Sequence, residues 1–238
     1  MNDTAGAAAQ PPGWFGKLPS LGDFASRRLD ATFLEPWDAW LSEGLLALRE
    51  AQPESWLDAY LGSPSWRFLL MPGVLPGAAG QGGWAGVLMP SVDAVGRSFP
   101  LTLVQPLGTG PADTQQMAGL WHWLGRLDEL ARDALYDDWT AERLEQELAR
   151  MARPAIAARH DAYEVPPEAG VLREIEGALA SDAACQIGAE AQQRWAAHAH
   201  GRAWWHARPD GAPARLLLSR GLPVASSLAR LFGMAATI

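Results

Sequence analysis

Two polar loops hold the side chains of this sequence that are best suited to chemistry. Each loop combines Pro and Gly, which restrict the backbone, with Ser, Asp and Lys or Arg, which form hydrogen bonds and ion pairs across loops. If Asp23 and Asp93 shared one pocket, the two carboxylates and neighbouring arginines could form a hydrolytic or phosphate-handling site. The first loop contributes Lys17, Pro19, Ser20, Gly22, Asp23 and Arg28, and the second contributes Pro90, Ser91, Asp93, Gly96, Arg97 and Pro100.

Both loops also have a purely structural interpretation. In it, Asp23 and Asp93 cap their own loops and pair with nearby arginines. No nucleophile is arranged with a base in either loop, so catalysis is not indicated. The choice is therefore between loops that build the fold and loops that shape a recognition surface.

The histidines and the single cysteine are not predicted to hold a metal or a cofactor. His198 and His200 would share one face of an extended segment, with His206 nearby, but zinc needs three or four convergent ligands. We interpret these side chains as partly exposed histidines near a turn. Cys185 is interpreted as a small buried hydrophobic residue. The glycine run at 80–85 is followed by a strand, whereas a dinucleotide fingerprint requires a helix, so no cofactor is expected.

The composition describes a chain with a real core and few candidate partners among nucleic acids or membranes. Of 238 residues, 48% are hydrophobic, and the formal net charge of -8 disfavours nucleic-acid binding. The longest uncharged stretch, 68–92, is broken by prolines and glycines, so no membrane insertion is predicted and a cytoplasmic location is expected. The chain holds 12 tryptophans, most of which are predicted to be core anchors.

The first half of the chain alternates strand and helix signals. After a short strand at Trp14, a capping box at Thr32 opens an amphipathic helix that ends near Glu50. A shorter helical turn carries Trp56 and Tyr60. Three strand-like runs follow, at 66–71, 84–89 and 98–105, and their short links predict antiparallel pairing.

The second half begins with a helical period and returns to strands near its end. Helices are predicted from Asp113, from Thr140 and from Pro167. A hairpin at 203–207 and 214–219 precedes a last helix at about 225–232. These elements predict an α/β fold, a layered α/β/α-type domain with a mixed, largely antiparallel central sheet covered by helices.

The predicted organisation is a short leader followed by one domain. Residues 1–12 are expected to be a disordered leader, and 13–238 a single α/β domain. Within that domain, 13–108 carries the motifs, 109–200 is expected to be helical, and 201–238 supplies a hairpin and helix that join the core.

Four ordered motifs, spread over about residues 14–105, resemble the TagF (ImpM) family of type VI secretion accessory proteins. They lie at 14–24, 36–41, 64–68 and 86–102. Leu21 stands where the family more usually has an arginine. Beyond the two polar loops, the resemblance adds four candidate site residues: Trp37, Asp38, Trp66 and Arg67.

The resemblance implies a cytoplasmic, non-enzymatic protein that restrains type VI secretion after translation. Its implied partner is the forkhead-associated-domain scaffold of the apparatus, and binding would block assembly. Two alternatives stay open. The protein could be a structural component of the apparatus, or a hydrolase-like enzyme that uses Asp23 and Asp93.

Overall fold

One eight-stranded sheet organises the protein. The computed structural model describes residues 10–108, 111, 114–152, 172–176, 199–209 and 211–232. The strand order is β2-β1-β5-β4-β3-β7-β8-β6, and every pairing between these strands is antiparallel. The strands are β1 (Gly13–Gly16), β2 (Ala25–Arg27), β3 (Trp66–Leu70), β4 (Gly83–Met89), β5 (Leu101–Gly108), β6 (Leu172–Glu176), β7 (Arg202–Ala207) and β8 (Arg215–Arg220).

Helices cover both faces of this sheet, which confirms the predicted α/β/α layering. Side chains alternate along each strand, so Trp204 of β7 joins one core and the adjacent Trp205 joins the other. The helices α3 and α4 cover the first face, and α1, α2 and α5 cover the second. Their bounds are α1 (Ala31–Ala51), α2 (Trp56–Leu61), α3 (Thr114–Tyr136), α4 (Ala141–Arg150) and α5 (Ala225–Leu231).

The start of α1 differs from the prediction. The N-cap is Asp30, whose carboxylate accepts a hydrogen bond from the Phe33 amide at 3.2 Å, so the capping box at Thr32 is wrong. The Thr32 hydroxyl instead donates to the Asp30 carboxylate. An aspartate two residues upstream competes well for the cap, because its carboxylate also interacts favourably with the helix dipole.

The predicted helix from Pro167 is wrong where the structure describes that region. Leu172–Glu176 forms β6 and pairs with β8, from Leu172 opposite Ser219 to Glu176 opposite Arg215. The apolar spacing there fits a helical period, but the outer edge of β8 offers backbone groups that a strand can pair. Strand β2 is also absent from the sequence prediction, since three residues are too few to show a two-residue period.

The other predicted elements are present with small shifts at their ends. Helix α4 starts after Thr140, close to the predicted position, and Thr140 is its N-cap, since the Thr140 hydroxyl accepts a hydrogen bond from the Arg143 amide at 3.3 Å. The hairpin of β7 and β8 and the final helix also form where they were predicted. Pro12, placed in the expected leader, is buried, and its carbonyl accepts hydrogen bonds from Arg28. Residues 1–9, Asp113, Cys185 and His198 lie outside the described residues.

Candidate functional site

A buried carboxylate joins the two polar loops. Asp93 is 3% exposed and accepts from the Lys17 ammonium at 3.1 Å and from the Arg97 Nε at 2.7 Å. The same carboxylate accepts from the backbone amides of Val95 at 3.1 Å and Arg97 at 2.8 Å. Asp93 therefore caps its own loop, pairs with Arg97 and binds the loop that carries Lys17. We call these three charged residues the two-loop cluster.

The electrostatics of the two-loop cluster favour structure over proton transfer. Burial by itself raises the pKa of Asp93, but hydrogen bonds from the Arg97 amide, Lys17 and the Arg97 side chain outweigh it and hold the pKa well below its usual range. A carboxylate that stays ionised and whose oxygens are occupied by donors is a poor general base. Asp23 is exposed, and the hydrogen bond its carboxylate accepts among the described residues comes from the Phe24 amide, at 2.8 Å, so Asp23 does not belong to the buried ion-pair cluster of Asp93.

Backbone contacts hold the second loop in one conformation. Tyr60 donates its hydroxyl proton to the Ser91 carbonyl at 2.9 Å and accepts from the Ser91 amide at 2.9 Å. The Ser91 hydroxyl donates to the Lys17 carbonyl at 2.7 Å. Gly96, at φ +80°, turns the loop back, with its amide 2.9 Å from the Asp93 carbonyl.

The two prolines of this loop lie at its ends. Pro90 is half-buried just after β4, and Pro100 is buried just before β5. The Pro100 carbonyl lies against Gly16, where an added Cβ would be 2.0 Å from its oxygen. Only glycine fits that close approach, because the neighbour is backbone and Gly16 itself has φ +129°. Gly16 thus allows the close approach of the two loops.

Above the two-loop cluster lies an exposed rim. Arg97 donates to the Gly22 carbonyl from a side chain that is 55% exposed. Phe24, 47% exposed, packs edge-on against Phe99 with ring centroids 4.7 Å apart. Val95 is 71% exposed at the loop tip. The exposed rim, made of Gly22, Asp23, Phe24, Val95 and Arg97, is held on a fixed base and needs little ordering to bind a surface.

The first loop is also attached to the α3–α4 corner. The Ser20 hydroxyl donates to the Trp139 carbonyl at 2.7 Å, and Pro19 beside it is half-buried. Arg28, at φ +57°, takes part in a different cluster: its guanidinium pairs with Glu145 of α4, which also accepts from the Trp14 indole. Arg28 therefore fastens the N-terminal segment to α4 and does not join the two-loop cluster.

The remaining candidates lie in the cores or between sheet and helix. Trp37 is fully buried and donates its indole N–H to the Thr102 hydroxyl at 2.9 Å. Trp66 is 1% exposed and donates to the Leu231 carbonyl. Asp38 is half-buried and accepts from the Ser42 hydroxyl at 3.4 Å. These motif residues build the packing beneath the loops.

Arg67 forms a second buried ion pair with a residue that the sequence analysis missed. Its Nε and Nη2 both donate to Asp128 of α3, at 3.1 and 3.0 Å, and Asp128 also accepts from the Ser65 hydroxyl. Asp128 is 6% exposed. The sequence feature that could have identified Asp128 is its place on the apolar face of α3, next to the buried Leu127 and one turn after Leu124, because a charge on a buried face needs a partner.

Comparison with known proteins identifies the family. Residues 13–151 match the family model of the TagF N-terminal domain, which is type VI secretion system-associated. The chain belongs to the TagF family. A similar solved structure is the crystal structure of PA0076 from Pseudomonas aeruginosa PAO1, at 34% sequence identity and a TM-score of 0.72. That similarity covers 95% of this TagF chain and 96% of the other. No curated protein matches the sequence.

The TagF chain has no recognisable metal cluster or membrane span in the ranges described. No group of three or more His, Cys, Asp or Glu side chains is placed to hold a metal ion there. No helix in those ranges is long and apolar enough to cross a bilayer. His206 is fully buried, which corrects its interpretation as partly exposed, and neither ring nitrogen has a hydrogen-bond partner among the described residues.

The burial of His206 predicts a loss of stability on acidification. Its ring lies edge-on to Trp121 at 5.2 Å, and burial, together with Arg67, lowers the pKa to about 4, against an opposing effect of Asp128. In the unfolded chain His206 binds a proton near pH 6.5, whereas in the folded chain it does so only near pH 4. The free energy of unfolding is therefore unaffected by His206 above pH 6.5 and decreases as the pH falls from 6.5 toward 4. The full loss is about 3 kcal/mol. Urea titrations between pH 7 and 4.5 measure it.

The matched variant is His206→Leu, which keeps an apolar side chain in the same place. Because the imidazole nitrogens are unpartnered, this change should cost little at pH 7. The variant should show a flatter pH dependence than the wild type between pH 6.5 and 4. Equal slopes for the two proteins would contradict the assignment.

Proposed function

We propose that this TagF chain is a cytoplasmic negative regulator of type VI secretion that acts after translation by binding the forkhead-associated-domain scaffold. The observation that carries the proposal is the family match over 13–151, which contains both polar loops, the exposed rim and the packing beneath it. The regulator works by stoichiometric occlusion of the scaffold and needs no cofactor.

The two-loop cluster supports a binding role over a catalytic one. Asp93 is shielded and fully engaged, so it holds the loops in place, and the solvent-facing groups of the exposed rim are free to meet a surface. Aromatic and arginine side chains on a fixed base are the types that supply most interface energy. Phe24 and Arg97 are of this kind.

Deleting the gene is expected to increase secretion by the type VI system, because the scaffold is no longer occluded. The measurement is the amount of secreted tube protein in culture supernatant, with complementation by the wild-type chain. Purified full-length chain should also bind the purified scaffold from the same bacterium in calorimetry, near one-to-one.

Unchanged secretion after deletion, with no binding to the scaffold, would contradict the proposal. Stable recovery of the chain in sheath or baseplate fractions would favour the structural-component alternative. An Asp23→Asn variant tests the hydrolase alternative when scaffold binding is measured beside secretion, because Asp23 is exposed and also lies on the rim. Loss of repression with unchanged scaffold binding would favour chemistry at the carboxylate.

A further inference from the structure

An open groove lies between α1, α2 and the second polar loop. Leu45, Leu46 and Arg49 of α1 form one side, Trp56 and Tyr60 of α2 form another, and Phe99 contributes to the lining from the loop. Leu46 is 57% exposed. Ser42 and Ser98 complete the lining, so this α1–α2 groove combines largely apolar walls with access from solvent.

The groove is small and open. Its volume is about 240 Å³, which is below the roughly 300–1,000 Å³ of pockets that enclose small-molecule ligands. A groove of this size holds one or two side chains of a protein segment. The buried Tyr60 at one wall cannot move away without losing both of its hydrogen bonds to Ser91.

The charge of the groove indicates which side chains the bound segment carries. Of the described residues that line the groove, Arg49 is the one that carries a charge, in a chain with a net charge of -8. Its guanidinium lies over the Trp56 ring, with Cζ 5.7 Å from the centroid, and pairs with no carboxylate among the described residues. A stacked guanidinium has its planar edge available for a carboxylate.

The groove is continuous with the motif loops. Phe99 packs on Phe24 of the exposed rim, and Tyr60 is bound to Ser91, whose hydroxyl donates to the Lys17 carbonyl. The loops thus position the wall of the groove as well as the rim. The loop that carries Val95 and Arg97 of the rim therefore also carries Phe99 of the groove.

We propose that the α1–α2 groove binds a segment of the scaffold that presents a bulky apolar side chain next to a carboxylate. The apolar side chain packs between Leu46 and Phe99, and the carboxylate pairs with Arg49. This inference rests on the proposed function, because the scaffold is the protein that presents the segment.

The test uses the full-length chain and the purified scaffold, with affinity measured by calorimetry. Arg49→Glu and Leu46→Glu should each weaken binding at least about tenfold, as expected for interface hot spots. Arg126→Glu and Tyr136→Glu are the matched controls, since both residues are exposed on α3, on the other face of the sheet. They should bind within about twofold of the wild type, and thermal melts check that all four variants fold.

Salt dependence and cross-linking test the chemistry of the occupant. Arg49→Gln should bind with a weaker dependence on ionic strength than the wild type, because it removes one charge pair. A photo-reactive benzophenone side chain introduced at position 46 should cross-link to a scaffold peptide that has an Asp or Glu beside a bulky apolar residue.

The outcomes separate this inference from the proposed function. If the wild type binds the scaffold and the groove variants bind equally well, the groove is not the binding site, and the proposed function is unaffected. If Leu46→Glu weakens binding and Arg49→Glu does not, or if the cross-link forms with a basic segment, then Arg49 does not pair with a carboxylate of the scaffold. No binding by the wild type would overturn both proposals.

Discussion

Asp93→Ala is expected to lower the melting temperature by roughly 6–20 °C, as for a broken buried ion pair in a chain of this length. The change leaves the Lys17 side chain, 5% exposed, without its carboxylate partner, and removes the acceptor for two backbone amides of the loop. An unpaired buried charge costs more than the lost pair contributed. Thermal unfolding at pH 7, followed by circular dichroism, measures the effect.

The companion loop offers the matched control for this variant. Asp23→Ala removes the same side chain from an exposed position, so its melting temperature should change by no more than about 2 °C. Because folding lowers the pKa of Asp93, its contribution is present above pH 3.9 and is lost as the pH falls below that value. If the Asp93→Ala protein melts like the wild type but fails to bind the scaffold, Asp93 acts in binding and not in holding the loops together.

Trp37→Ala is expected to lower the free energy of unfolding by about 3–5 kcal/mol. The indole is fully buried on the second face of the sheet, with ring centroids 5.2 Å from Phe68 and 6.4 Å from Trp205. Removing it leaves a large cavity and takes away the donor to Thr102. Urea denaturation followed by far-ultraviolet circular dichroism gives the free energy.

A phenylalanine at the same position separates packing from hydrogen bonding. Trp37→Phe keeps most of the ring contacts and loses the donor to the Thr102 hydroxyl, so it should cost about 1–3 kcal/mol. Trp56→Ala is a second control, because Trp56 is only half-buried at the edge of the groove and should cost less than Trp37→Ala. Equal losses for Trp37→Ala and Trp56→Ala would contradict this reading of the core.

The helices were predictable where a single apolar stripe faces one sheet. Leu144 and Leu148 of α4 recur at helical spacing and are fully buried against the core, so periodicity alone locates that helix. β6 was not predictable in this way, because its strand form depends on pairing with β8, whose partner residues lie 39 to 47 positions away in the chain. Local spacing carries no information about an edge that is offered by a distant strand.

The candidate site also has a part that the sequence predicts and a part that it does not. Opposite charges in the two loops indicated that they could meet, and Lys17 and Asp93 do so. The groove was not predictable, because Arg49, Tyr60 and Phe99 are brought together only by how α1, α2 and the second loop pack. Tryptophan counts were more informative, since Trp14, Trp37, Trp66 and Trp205 are all fully or nearly fully buried.

The position of β7 has a consequence for how the chain is made. The family domain, 13–151, contributes five strands that end at β3, and the edge of β3 is paired by β7, which lies after residue 200. During synthesis the backbone of β3 stays unpaired on that side until most of the chain has left the ribosome. Such an edge is a template for pairing with another chain. A chain in which β7 has not yet formed is therefore expected to associate with other chains through β3 more readily than the native sheet does.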